Sequence, residues 1–378
     1  MNLKVVIQDI IGQIARISPI VICLLITSSC SKKKDPEAKP DQVEMLYIGD
    51  DKSLWALDAL TGNQKWTFAT NGYISTGATV SDKVVYVGSF DKKMYAVDAA
   101  TGKQKWAFEA DHIIRTTPTV VDGIIYFGTE AGRFYAVNSQ TGELIWSKKM
   151  PNEIWCSPTV ANKIVYTSNY FSAKFVALDA KTGEEKWVFQ TNNNIIAGNP
   201  TVANGYVYVS TYTGFVYALD AQTGQKKWQF ETPGNGITGC PTLVNGLIYF
   251  GSNDRSVYAL DATSGAKKWS FKTGNSIDSS PIVDNGTVYI GSNDKKLYAL
   301  DAASGAEKWA FEAGTAVKYG PTVANGIVYF GTQLNTMYAL DANTGTSKWD
   351  TRVRMFWGPC VVSQKGVVYH PGTSGDQP

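Results

Sequence analysis

Histidine is almost missing from this chain: 378 residues include two, His112 and His370. Two isolated imidazoles make neither a metal cluster nor a catalytic triad, so the residues offer no catalytic set and no metal site. Cysteine is sparse as well, with five residues and no adjacent pair. Charge of one sign is absent: Lys and Arg number 35, Asp and Glu 33, and the net charge is +2. With the charges scattered along the chain there is no basic stripe for nucleic acid and no acidic face for a cationic partner. Apolar spacing of the helical kind occurs nowhere. No apolar run is long enough to cross a bilayer: the longest, residues 17–26, is broken by Ser18 and Pro19. As a helix it would rise only ~15 Å, about half of a bilayer core.

That short run, with Lys4 and Arg16 ahead of it, has the make-up of an export signal. It ends in Thr27-Ser28-Ser29-Cys30. Small residues before a cysteine resemble a bacterial lipoprotein processing box, in which Cys30 is lipidated and becomes the first residue. Residues 1–29 are then a lipoprotein-type signal peptide. The pattern prefers Leu where Thr27 stands; ordinary cleavage and an uncleaved anchor are the alternatives, and translation starting after Met1 stays open. Residues 30–43, polar with proline and no aromatic, read as a disordered tether.

What the chain has in plenty is Gly (35), Tyr (20) and Trp (11), and the tryptophans are periodic. Trp66, Trp106, Trp146, Trp187, Trp228, Trp269, Trp309 and Trp349 are 40 or 41 residues apart. A tyrosine follows each after 20 or 21 residues: Tyr86, Tyr126, Tyr166, Tyr208, Tyr249, Tyr289, Tyr329 and Tyr369. A fixed period in this range marks a solenoid, a propeller or an array. Asn204-Gly205, Asn245-Gly246, Asn285-Gly286 and Asn325-Gly326 sit between apolar runs, and Asn-Gly there signals a tight hairpin with positive φ at both central residues. Each unit divides into four short strands, A to D. Many are apolar on both faces, as in Leu297-Tyr298-Ala299-Leu300, and a two-faced strand must be covered on both sides, as stacked blades cover it.

The expected fold is all-β: an eight-bladed propeller of four-stranded antiparallel blades over residues 44–378. The chain enters at a strand B (residues 45–49) and leaves with a strand A near residues 360–363 and a B-like stretch at 366–370. N- and C-terminal strands then share the last blade, which closes the ring and removes exposed edges. In that blade two alignments are open, with Val361 or Pro359 in the proline column that begins strand A.

The string Ala-x-Asp-x-x-Thr-Gly-x-x-x-Trp, as in Ala56, Asp58, Thr61, Gly62 and Trp66, recurs with Asn138 in place of Asp once and Ser264 and Ser304 in place of Thr. It resembles the tryptophan-docking motif of the pyrroloquinoline quinone (PQQ) enzyme-type repeat. The resemblance covers residues 44 to about 370 and implies that the eight tryptophans are architectural, each docking on the next blade. Enzymes of that kind hold PQQ between a Trp and a disulfide of adjacent cysteines, with Ca²⁺ and an Asp base. This chain has no such cysteine pair, so no cofactor is expected. Cys156, Cys240 and Cys360 fall near strand A starts in non-neighbouring blades. Bridging needs Cα atoms within ~7 Å, so free thiols are expected.

The repeat serves as a ruler for positions that break it. The A–B and C–D turns hardly vary. The B–C and D–A loops, on the opposite face, vary widely, and the loop holding Tyr170 and Phe171 is one residue longer. Loops on a rigid scaffold carry function, which makes this the candidate binding face. Four residues before each proline lies a uniform column, Ile74, Ile114, Ile154, Ile196, Ile237, Ile277 and Val317. The next column is Ser75, Arg115, Trp155, Ala197, Thr238, Asp278 and Lys318. Arg115, Trp155, Asp278, Lys318, Tyr319 and Trp357, with Tyr170 and Phe171, are the candidate residues round the funnel; solvated remnants of repeat drift are the plainer reading. A lipid-anchored propeller of this type without a catalytic set resembles the BamB family of outer-membrane β-barrel assembly lipoproteins. That resemblance implies an exported, membrane-anchored, monomeric scaffold for envelope or outer-membrane proteins, held by its N-terminal lipid and facing periplasm or cell surface. The alternatives are a PQQ-dependent dehydrogenase or a surface lipoprotein that binds a glycan or small ligand at the funnel.

Overall fold

The computed structural model describes residues 44–169, 173–191, 195–234 and 236–353, together with the strands Cys360–Val362 and Val368–Tyr369. The expected signal peptide, Cys30 and the tether lie outside the described residues, as do Tyr170, Phe171 and Trp357. Every described element is a strand, and the strands form eight antiparallel sheets. Blade 1 is typical, with A at Thr79–Ser81, B at Val84–Gly88, C at Lys93–Asp98 and D at Gln104–Glu109. Blades 2 to 7 follow in chain order. Blade 8 takes B, C and D from the N-terminus (Met45–Asp50, Ser53–Asp58, Gln64–Ala69) and A, Cys360–Val362, from the C-terminus.

Local chemistry sets these hairpins. The A–B turns hold Asn204 at φ 52° and Gly205 at 78°, and Asn325 at 47° and Gly326 at 72°. Both central residues are left-handed, as a type I′ turn requires. Strand A is short because it lines the hub, and its Pro-Thr start stitches that hub together. The hydroxyls of Thr119, Thr159 and Thr242 each donate, at 2.6 Å, to the carbonyl of Pro158, Pro200 and Pro281 in the following blade.

The tryptophans dock as the resemblance implied. Each indole N–H donates to a carbonyl of the next blade at 2.9–3.1 Å, beginning with Trp66 on Ala99 and ending with Trp349 on Ala59. Each of those carbonyls also accepts a buried tyrosine hydroxyl at 2.9–3.1 Å, so both lone pairs are used. Tyr329 and Trp349 both reach Ala59, which joins blade 7 to blade 8 across most of the chain. The indole ring lies over a glycine. A Cβ on Gly102 would stand 2.8 Å from the Trp66 ring, and its φ is 71°, so approach and backbone both demand glycine. Eight buried apolar clusters fill the eight interfaces between neighbouring blades.

The closing blade differs from the expected pattern. Seven sheets have four strands; this one has five, in the order D-C-B-A and then Val368–Tyr369. Two segments carry strand B chemistry, and the N-terminal one takes the place. Its Tyr47 donates to the Ala99 carbonyl. The C-terminal pair instead lies on the free inner edge of strand A and touches the A strands of blades 1 and 7. The register also decides the open alignment. Cys360 pairs with Tyr47 as Thr79 pairs with Tyr86, which gives Pro359 rather than Val361 the proline column.

Candidate functional site

The candidate face is built from two loops that are stitched to each other. In blade 2 the Glu130 N–H donates to the Ile113 carbonyl, and the Ile114 N–H donates to Ser89 of blade 1. The same pair of bonds recurs at Asn293 to Ser276 with Ile277 to Ser252, and at Gln333 to Ala316 with Val317 to Ser292. The isoleucine column is therefore fixed, and it is buried throughout, as expected of core. In blades 1, 2, 5 and 6 strand B ends in a glycine that admits it: a Cβ on Gly128 would meet Ile154 at 2.4 Å. The residue after each isoleucine is thereby held at the mouth, beside the B–C loops of its own and the preceding blade.

Two clusters result. In the first, the Arg115 guanidinium lies between two aromatic faces, 4.6 Å from the Phe90 centroid and 4.9 Å from that of Trp155. Its Nε donates to the Glu130 carboxylate, and His112 Nδ1 stands 3.8 Å from the same group. Phe90 in turn meets Tyr73 edge-on at 6.1 Å, and Lys52 lies 5.8 Å over Tyr73. The contacts run Lys52–Tyr73–Phe90–Arg115–Trp155 from blade 8 to blade 3. Each such contact is worth ~0.5–2 kcal/mol, more where water is excluded. In the second cluster the Asp278 carboxylate accepts from Thr238 Oγ1 at 3.3 Å and from Asn293 Nδ2 at 3.0 Å. Lys318 and half-buried Tyr319 follow in blade 7. Burial pushes the Tyr319 hydroxyl above its ordinary pKa, so it stays a neutral donor. No ion pair joins Asp278 to Lys318 among the described residues.

The structure thus brings Arg115 and Trp155 together and holds Asp278 apart from them. Phe90, Glu130 and Tyr73 belong to the first cluster and were not singled out by the sequence. Phe90 stands where other B–C loops carry Glu130, Tyr212, Asn253, Asn293 and Gln333, so an aromatic there, shared only with Tyr212 among these, was the available signal. Tyr212 and Leu334, on the B–C loops of blades 4 and 7, are 40% and 70% exposed.

The variable column supplies few oxygen ligands for a Ca²⁺ of the kind quinoproteins hold. The one acid of the variable column, Asp278, is already held by Thr238 and Asn293. No group of three or more His, Cys, Asp or Glu is placed to hold a metal among the described residues. Cys156 and Cys240 are free and buried. They flank blade 4 from either side: Cys156 donates to the Gly198 carbonyl at 3.3 Å, and Cys240 accepts the Asn199 N–H at 3.1 Å. Burial pushes the Cys156 thiol up to about 12 and raises that of Cys240, which keeps both protonated and unreactive.

Ring and mouth together define an eight-bladed propeller of the tryptophan-docked, quinoprotein-type repeat. The sequence profile described as outer membrane protein assembly factor BamB matches residues 50–271 and 253–368, and the chain belongs to that family. Among solved structures it is similar to BamB from Moraxella catarrhalis, at 20% identity over 81% of this chain and 91% of that one, with a TM-score of 0.65. It is similar also to the computationally designed Ika8 protein, at 17% identity over 79% and 96%, with a TM-score of 0.67. The quinohemoprotein alcohol dehydrogenase ADHIIG from Pseudomonas putida HK5 is 16% identical over 81% and 68%, with a TM-score of 0.62. At these identities the likeness is one of fold. No curated protein matches the chain.

Proposed function

We propose that this protein is a non-enzymatic, lipid-anchored scaffold of the cell envelope that takes part in outer-membrane protein assembly. It binds other envelope proteins with its B–C and D–A loop face. The observation that carries the reading is the contrast between faces within a family described by assembly. The A–B and C–D turns repeat one geometry, while the loop face bears a preorganised Phe90–Arg115–Trp155 stack and exposed Tyr212 and Leu334. A rigid aromatic and arginine surface of this kind suits a protein partner. Export through residues 1–29 and lipidation at Cys30 place the propeller at a membrane, and no quinone or metal is required. In cross-linked membranes, co-purification should recover a β-barrel assembly protein, and Arg115→Ala with Trp155→Ala should reduce the recovery at least tenfold. Recovery of no such protein, or recovery indifferent to these substitutions, would refute the reading.

A further inference from the structure

The outer rim of the ring is a row of eight strands D, each the last of its sheet and paired on one side only. An unpaired edge offers its N–H and C=O groups to any extended chain, and proteins blunt such edges with charge, lysine above all. Seven of these strands follow that rule. Their second residue is Lys65, Lys105, Lys186, Lys227, Lys268, Lys308 or Lys348. Six of the seven lysines pair with the aspartate that ends strand C, at 3.0–3.5 Å.

Blade 2 breaks the rule on both sides of the pair at once. Its strand C (Arg133–Asn138) ends in Asn138 instead of Asp, and its strand D (Leu144–Lys149) has Ile145 instead of Lys. Asn138 keeps the part of the aspartate's work that the turn needs: its Oδ1 accepts the N–H groups of Gln140 and Thr141 at 2.9 and 3.0 Å. Only the charge pair is gone. Beside Ile145 stands Leu144, where the other blades carry Gln, Glu, Lys or Ser. The two aliphatics are 51% and 44% exposed. Four residues after Leu144 comes Lys148, where six blades carry a phenylalanine packed on a tyrosine of the next blade, as Phe271 packs on Tyr298. The facing tyrosine is absent too, its place in blade 3 taken by Val176. Leu144 and Ile145 make one half of the edge apolar; Lys148 and Lys149 make the other half cationic, with Lys149 Nζ donating to the Ala131 carbonyl. Arg133 opposite Lys149 is paired with Asp111 at 3.2 Å.

We infer that strand D of blade 2 is a strand-addition site for an extended segment of a partner protein. The segment runs antiparallel, so that an acidic first half meets Lys148 and Lys149 and an apolar second half covers Leu144 and Ile145. Main-chain bonds supply the affinity and the two halves of the edge supply register. The surface lies on the rim, away from the loop face. It rests on the scaffold reading only in needing a protein partner, and the test with purified components fails or succeeds independently of the membrane cross-linking.

The probe is a fluorescein-labelled decapeptide that begins with two glutamates and continues in alternating threonine and valine. Its anisotropy on titration with the purified full chain should saturate. Affinity should fall at least tenfold for the Leu144→Gln/Ile145→Lys variant, whose melting temperature should match that of the parent. The same peptide N-methylated at alternate residues cannot pair its backbone and should not bind the parent, a readout that needs no variant. Equal affinity for the double variant, equal binding of the N-methylated peptide, or no saturable binding would overturn the inference. So would a parent protein that dimerises while the double variant stays monomeric, because the occupant would then be a second copy of this chain.

Discussion

Blades 2 and 5 share one architecture and differ at one edge. In blade 5, Asp261 caps the C–D turn through the N–H groups of Thr263 and Ser264 and pairs with Lys268 at 3.2 Å. In blade 2, Asn138 caps the same turn and there is no charge to pair. Trp269 and Trp146 nevertheless dock alike, on the carbonyls of Ala302 and Ala180, both at 3.0 Å. The comparison separates the repeat motif into two parts. One part, the capped turn, the glycine and the indole, holds neighbouring blades together and does not vary. The other, the Asp–Lys pair, guards the outer edge and can be removed without disturbing the first.

If that separation is right, the largest effects fall equally on the two blades. Trp146→Ala and Trp269→Ala should each cost ~3–5 kcal/mol, the range for emptying a large aromatic site. Each also removes one of the two donors from a shared carbonyl. Urea unfolding of both variants checks this. A Trp146→Ala cost near zero beside a full cost for Trp269→Ala would mean that blade 2 had lost its scaffold as well as its guard. Next in size are the glycines under these rings. Gly183→Ala and Gly305→Ala put a Cβ about 2.6 Å from Trp146 and Trp269, at φ 74° in both cases. Strain and overpacking together should cost ~2 kcal/mol in each blade, read from the same urea curves.

How much of this was legible depended on whether a feature lies within one unit or between units. The period of Trp66 to Trp349 and the Asn-Gly turns are local, and they led to the ring, the hairpins and the docking residues. The Arg115 stack joins Phe90, Arg115 and Trp155 from three blades, and the variable column shows Arg115 and Trp155 but not Phe90, which belongs to a B–C loop. Tyr369 kept the period yet lost its place to Tyr47, because two segments with strand B chemistry compete for one position and order along the chain does not choose between them. Asn138 was visible as a lone exception. Its meaning required Ile145, seven residues on, and only the folded hairpin shows that the two replace one ion pair.

A smaller difference between the blades is their response to acid. The Asp261 carboxyl is held at about 2 by hydrogen bonds from Ser264 and by Lys268, below its ordinary value of 3.8. A depressed folded pKa contributes stability that is present above the unfolded value and lost as pH falls through the folded one. The window is therefore pH 4 to 2. Asp261→Asn should shrink the fall in melting temperature across that window. Asn138, already neutral, contributes nothing there, so Asn138→Asp should steepen the fall. An Asp261→Asn variant as acid-sensitive as the parent would show that the cap and the pair leave that carboxyl unperturbed.

The smallest effect on stability is also the one that tests the guard most directly. Asn138→Asp with Ile145→Lys rebuilds in blade 2 the pair that six other blades carry. An exposed ion pair is worth ~0–1 kcal/mol, so unfolding at neutral pH should hardly move. The reverse exchange in blade 5, Asp261→Asn with Lys268→Ile, should be equally mild. What should change is association. The first double variant should lose affinity for the alternating peptide, and the second should gain a weaker second site, because blade 5 keeps Lys267 where blade 2 has Leu144. Peptide titrations of the two proteins decide the matter. If neither exchange alters binding, the Asp–Lys pair is not a guard, and its absence from blade 2 is no more than drift in a turn that Asn138 caps as well as aspartate does.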